Sequence, residues 1–232
     1  LKEENAMFLD PTFVLLIPAI ILALYAQYKV KSTFNKYSQV PSRRGMTGLE
    51  VAQQLLRDSG LNDVKLERVQ GKLTDHYDPR SRTLRLSDST AKSRSVAAIG
   101  VAAHEVGHAV QHRKAYAPFN IRQAIFPVAS LGSGLAFPLF FIGFIFSSFR
   151  VLMSVGILFF CGAVLFQIVT LPVEFNASSR ALSLLKNRAL LADDEVSRAG
   201  RVLQAAALTY VASTAMAVLQ LVRLLLLSGS RD

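Results

Sequence analysis

VLMSVGILFFCGAVLFQIVTLPV fills residues 151–173 without one charged side chain, and Glu174 follows it directly. As a helix, this run supplies the roughly 20 apolar residues that cross about 30 Å of hydrocarbon. A carboxylate at the edge of such a helix is costly unless it is paired or bound to a cation. The junction therefore predicts a membrane span and, at its end, a group that needs a partner.

Three further runs surround it. FVLLIPAIILALYAQY extends from Phe13 to Tyr28, residues 124–149 carry no charge, and neither do residues 202–222 before Arg223 and four leucines. Charged residues make up only 18% of the chain, below the roughly 25% of soluble domains. The reading is a mainly α membrane protein with about four transmembrane helices and a small α+β lobe. Pro18, Pro127 and Pro138 fall inside the runs, where membrane helices tolerate them. Pro172 is expected to break the third span and turn Glu174 towards the lobe. The first run has acidic as well as basic flanking residues (Lys2, Glu3, Glu4, Asp10) and leads into YKVKSTFNKYS without a small-residue cleavage pattern. It is expected to be a retained anchor rather than a signal peptide.

Lys and Arg close to the spans set the expected orientation. Lys29, Lys31, Lys36, Arg43 and Arg44 follow the first run, and Arg113, Lys114 and Arg122 precede the second. Arg180, Lys186, Arg188, Arg198 and Arg201 lie between the third and fourth, whereas the opposite side has Lys2, Arg150, Arg223 and Arg231. Both long loops are thus expected in the cytoplasm. The net charge of +10 reads as topology plus affinity for the lipid bilayer. No nucleic acid partner is expected, because no basic recognition helix or aromatic-interleaved motif accompanies the charge. Cys161, the single cysteine, lies within a run and excludes an intrachain disulfide.

The expected segments are 1–30 with the first span, 31–123 as the cytoplasmic lobe, 124–149 and 150–173 as spans two and three, 174–201 as a cytoplasmic segment, and 202–232 with the fourth span. Within the lobe, Thr47 and Glu50 form a capping-box signature, and Gly60 ends the helix that they begin. VKLERVQ and RTLRLS alternate as strands, with an Asp-Pro turn between them, and STAKSRS offers N-caps for the next helix. The lobe reads as helix, β-hairpin, helix. Thr83 to Ser87 is expected to be an edge strand against which an extended peptide can pair.

That last helix carries HEVGHAVQH, with three of the four histidines in the chain. His104 and His108 are four apart, so both imidazoles face one side and can bind one metal ion. Glu105 stands one step round, placed to take a proton from water that zinc acidifies. Ala102, Ala103, Gly107 and Ala109 leave room for close neighbours. His112 lies two turns from His104 and reads as a solvated or supporting histidine. A catalytic zinc needs a third protein ligand. Glu174 is the strongest candidate, with His76 or an acid among Asp193, Asp194 and Glu195 as alternatives. Tyr210 is a candidate to steady the oxyanion.

HEVGHAVQH, DHYDPRSRTLRLS and LPVEFNASSRAL, with LDPTF ahead of the first span, resemble the YugP-like family of membrane-bound neutral zinc metallopeptidases over nearly the whole chain. The family is similar in plan to the CAAX-prenyl-protease group. The resemblance implies His104, His108 and Glu174 as ligands of one catalytic Zn2+, Glu105 as the base, and a gluzincin-like site. It also implies hydrolysis of membrane-associated protein or peptide substrates at a bacterial cytoplasmic membrane. In that group an aspartate four residues after the glutamate orients a ligand; here that position is Ser178, with Asn176 nearby. The competing expectation is a non-catalytic zinc-binding membrane scaffold, against which Glu105 speaks, since a structural site needs no base. A metal transporter fits less well, because the histidines lie outside the spans.

Overall fold

The computed structural model describes residues 11–229. Lys2, Glu3, Glu4, Leu9, Asp10 and Arg231, used above, lie outside the described residues. A 3-10 turn, Pro11–Leu16, leads into α1, Ile17–Ser38. Then follow α2 (Gly48–Asp58), β1 (Lys65–Val69), β2 (His76–Asp78), β3 (Thr83–Ser87), the short α3 (Asp88–Ala91) and α4 (Val96–Arg113). Three long helices complete the chain: α5 (Ala117–Ile145), α6 (Arg150–Asn187) and α7 (Asp193–Gly229).

Among the described residues, four helices are long and apolar enough to cross a membrane: Pro11–Ser38, Ala117–Ile145, Arg150–Asn187 and Asp193–Gly229. The protein is thus a mainly α membrane protein with a small α+β lobe. The last two helices outrun the apolar stretches that announce them. Pro172 does not break α6, which passes through it for 38 residues. Proline removes one backbone donor, but a helix already nucleated on both sides absorbs that loss in apolar surroundings. Residues 174–201, expected as a separate segment, are therefore the ends of α6 and α7 and the tight turn between them. In that turn Ala189 takes a φ of +49° and Leu190 N–H donates to Leu185 O at 2.9 Å, a Schellman ending.

The chain divides into two compact units. One comprises, among the described residues, 11–25, 121–170 and 210–229. Its interior is aromatic and aliphatic, with Phe140, Met153, Phe160, Val164 and Leu224 buried. Gly156 lets α6 approach α5 closely, since a Cβ there would lie 2.6 Å from Phe140 N and Ala136 O. Val128, Leu131, Val151, Leu158 and Leu165 stay exposed. Such outward apolar surface suits lipid rather than water.

The other unit, residues 26–120 and 171–209, is the lobe. Its core joins Val51, Leu55 and Leu56 of α2 and Leu84 and Leu86 of β3 to Ile99 and Val106 of α4, and closes with Leu185 of α6 and Leu203 of α7. The capping box at Thr47 forms as expected: Thr47 Oγ1 accepts from Glu50 N–H, and Glu50 accepts in return from Thr47 N–H at 2.8 Å. Gly60 ends α2 with a φ of +70°, a conformation that costs glycine little. Ser95 caps α4.

The sheet departs from the expected hairpin. Its order is β1-β3-β2. β1 runs parallel to β3, with Leu66 opposite Leu84, so the two alternating segments are neighbours but not the two arms of a hairpin. The arm antiparallel to β3 is β2, which pairs His76 with Arg85 and Asp78 with Thr83 across the Asp-Pro turn. β3 is therefore the middle strand, not an edge. Its residues Thr83, Leu84, Leu86 and Ser87 are buried, and an incoming peptide finds its Thr83–Arg85 backbone already paired on both sides.

Candidate metal centre

α4 is buried on nearly every side, which requires small residues where neighbours cross it. Gly107 is the tightest point: a Cβ there would fall 2.5 Å from Ala177 O of α6. Glycine thus lets α6 lie against α4 one turn from Glu174, and any side chain would push the two helices apart. Gly100 does the same for α7, since a Cβ on it would lie 3.2 Å from Ala199 Cβ.

This approach brings His104, His108 and Glu174 together, with one ligand atom from each within 4.8 Å of the others. Glu174 Oε2 lies 3.2 Å from His104 Nε2 and 3.6 Å from His108 Nε2. Tetrahedral zinc with bonds of about 2.0–2.1 Å sets its ligand atoms about 3.3 Å apart. The separations match that spacing, and Glu174 is only 2% exposed.

The hydrogen bonds behind the histidines decide what their inner nitrogens carry. Gln111, fully buried, donates both amide protons, to Val173 O at 2.8 Å and to Asn176 Oδ1 at 3.0 Å. Its Oε1 is left as an acceptor for His108 Nδ1–H at 3.0 Å. With its Nδ1 proton directed to Gln111, His108 has Nε2 left to act as a metal ligand. His104 Nδ1 likewise meets Ser178 Oγ at 3.1 Å, which leaves its Nε2 facing Glu174. Two imidazole nitrogens and a carboxylate oxygen converge on one point, a donor set that can hold a cation. Ser178, four residues after Glu174, thus reaches His104 with its hydroxyl. Asn176 is held in turn by Arg180 Nε at 2.6 Å.

Glu105 is buried beside the cluster, and burial pushes its carboxyl up to about 7. Opposing this, His104 favours the charged form, while Glu174 and Asp75 work against it. The remaining sequence candidates stand elsewhere. His76 is exposed and donates to Thr74 O at 2.9 Å. Asp193 pairs with Lys186, and Asp194 with Arg43 and Arg198. Glu195 is buried and accepts from the Arg43 and Ala192 amides. His112 Nδ1 meets Tyr77 OH at 2.9 Å; burial raises the Tyr77 phenol to about 12 and lowers the His112 imidazole. Tyr210 sits on α7 just past the lobe, its carbonyl accepting from Thr214 at 2.9 Å. Gln111 escaped the sequence reading; its signal is a polar residue three positions after His108, on the helix face that carries both histidines.

A family model described as "Putative neutral zinc metallopeptidase" matches residues 12–229. The chain belongs to this family. Among the neutral zinc metallopeptidases it is similar to "Putative membrane protease YugP" of Bacillus subtilis (strain 168), with 46% identity over 213 residues, 92% of this chain and 94% of the relative. No solved structure matches it. The printed name of this relative and the four apolar helices both support a membrane location.

Proposed function

We propose that the chain is a membrane-integrated, zinc-dependent endopeptidase that cleaves peptide bonds at the cytoplasmic surface of a bacterial membrane. The observation that carries this reading is the convergence of His104, His108 and Glu174, with Glu105 buried beside them. A donor set of two imidazoles and one carboxylate suits zinc and leaves a fourth position open. His104, His108 and Glu174 would hold the ion. Bound zinc acidifies water and polarises the scissile carbonyl. Glu105 accepts the proton of the attacking water and returns it to the departing amine. Ser178 and Gln111 keep the imidazoles in the tautomer and orientation that ligation requires. Tyr210 is retained as the proposed donor to the carbonyl oxygen during attack. With β3 in the middle of the sheet, an extended substrate has β2 as the strand next to α4 on which to align.

Metal removal tests the reading. Purified protein in detergent is expected to cleave an unstructured protein such as casein, to lose that activity on dialysis against a chelator, and to regain it with stoichiometric zinc. Cleavage that survives complete removal of metal would refute it. A zinc-binding scaffold, the competing class, predicts no cleavage in any of these states.

Orientation has its own measurement. In a Cys161→Ala background, cysteine at Ser197, exposed on α7, is expected to resist an impermeant thiol reagent in intact cells. Cysteine at Ser148, exposed between α5 and α6, is expected to react. The reverse pattern places the lobe outside. Ser230, a natural choice for the outer side, lies outside the described residues.

A further inference from the structure

Within the lobe unit, α1 and α7 enclose a cavity of about 500 Å³ that the peptidase reading leaves unused. Lys29, Thr33 and Lys36 face it from α1, and Arg201 and Gln204 from α7. Spacings of three, four and seven put each set on one side of its helix. Arg201 Nη1 donates to Tyr37 OH at 3.1 Å, and the Lys36 ammonium lies 5.6 Å from the centre of the Tyr37 ring. No acidic side chain lines the cavity. Among the described residues, no carboxylate forms an ion pair with any of the three cations; the nearby acid Asp194 is taken by Arg43 and Arg198. Three positive charges gathered without a counter-charge repel one another, and an anion between them relieves that repulsion.

Ala205 and Leu208 of α7 add an apolar part to the lining. Lys29 is the first charge after the apolar run of α1, and Arg201 is the last before the uncharged residues 202–222 of α7. The cavity thus straddles the level at which both helices pass from charged to apolar sequence. Its volume lies in the range of small-molecule sites. We propose that it binds the phosphate headgroup of an anionic phospholipid, with the phosphate among Lys29, Lys36 and Arg201 and the glycerol end towards Leu208. A free phosphate shares the polar half of this chemistry but makes no use of the apolar part.

The test uses the full chain in phosphatidylcholine nanodiscs doped with phosphatidylglycerol, and counts retained phosphatidylglycerol by native mass spectrometry. Lys29→Gln with Lys36→Gln is expected to weaken retention roughly 30-fold, from about fivefold per basic residue near a membrane surface. Both lysines are exposed, so the pair is expected to fold normally. Lys65→Gln with Lys72→Gln, exposed elsewhere on the lobe, is expected to change nothing. Arg201→Lys, which keeps the charge, is expected to retain the lipid. Equal loss from both lysine pairs would overturn the site in favour of diffuse surface charge. Retention of inorganic phosphate by a wild-type chain that keeps no phosphatidylglycerol would overturn the lipid as occupant.

Discussion

Glu105→Gln is expected to lower peptide hydrolysis by roughly 100- to 10,000-fold, the usual contribution of a positioned general base. The amide has nearly the shape of the carboxyl but accepts no proton from water. Zinc content is expected to stay at the wild-type value, because Glu105 is not among the three groups that converge on one point. The fold should not suffer either. Burial already disfavours the charged form of Glu105, holding its carboxyl near 7, and a neutral amide is less costly to bury. Turnover of a fluorogenic peptide, measured beside metal content, separates the two effects. Near wild-type turnover in the zinc-loaded variant would sink the assignment of Glu105 as base. The same variant expressed in cells is also the means to find substrates, since uncleaved proteins should accumulate in its membranes.

Glu174→Ala is expected to remove zinc and activity together. Loss of even a supporting hydrogen bond lowers metal affinity 10- to 100-fold, so loss of a ligand should cost at least about 100-fold. Glu174 reaches both histidines, and so the lobe should also become more sensitive to protease as α6 loses its tie to α4. Glu174→Gln is the finer variant, keeping the shape while removing the charge that holds the cation. Retention of one zinc per chain at wild-type affinity in Glu174→Ala would disprove ligation by Glu174. The alternatives would then need to move: His76 donates to Thr74 O, and Glu195 is occupied by two backbone amides.

Much of this centre is legible in the residues, because local chemistry announces itself locally. The spacing of His104 and His108 requires only that α4 be a helix, and Gly107 marks the place where another element must come close. Glu174 is visible because a carboxylate is out of place at the end of an uncharged run. What escapes is whatever depends on long-range pairing. Alternation in VKLERVQ and RTLRLS signals strands but is blind to direction, and the parallel pairing of Leu66 with Leu84 has no local signature. β2 has only three residues, His76–Asp78, all polar or amphipathic, so it has no pattern to detect. Pro172 misleads for a different reason: its cost is local, whereas the helix around it is stabilised by 38 residues of context. Gln111 is hidden because its role follows from where its two amide protons go, to residues 173 and 176 of another helix.

The distance between the ligands along the chain also gives the protein a timetable. His108 and Glu174 are 66 residues apart, and α5 and most of the apolar run of α6 must be synthesised between them. At about 5–20 residues per second, a growing chain spends roughly 3–13 s with both histidines and Glu105 made but Glu174 still missing. With Glu174 as the third ligand, a nascent chain has no complete metal centre during that interval, and two bilayer-crossing helices must emerge before one can close. On the proposed reading, hydrolytic competence is thereby deferred until both of these apolar helices have been made.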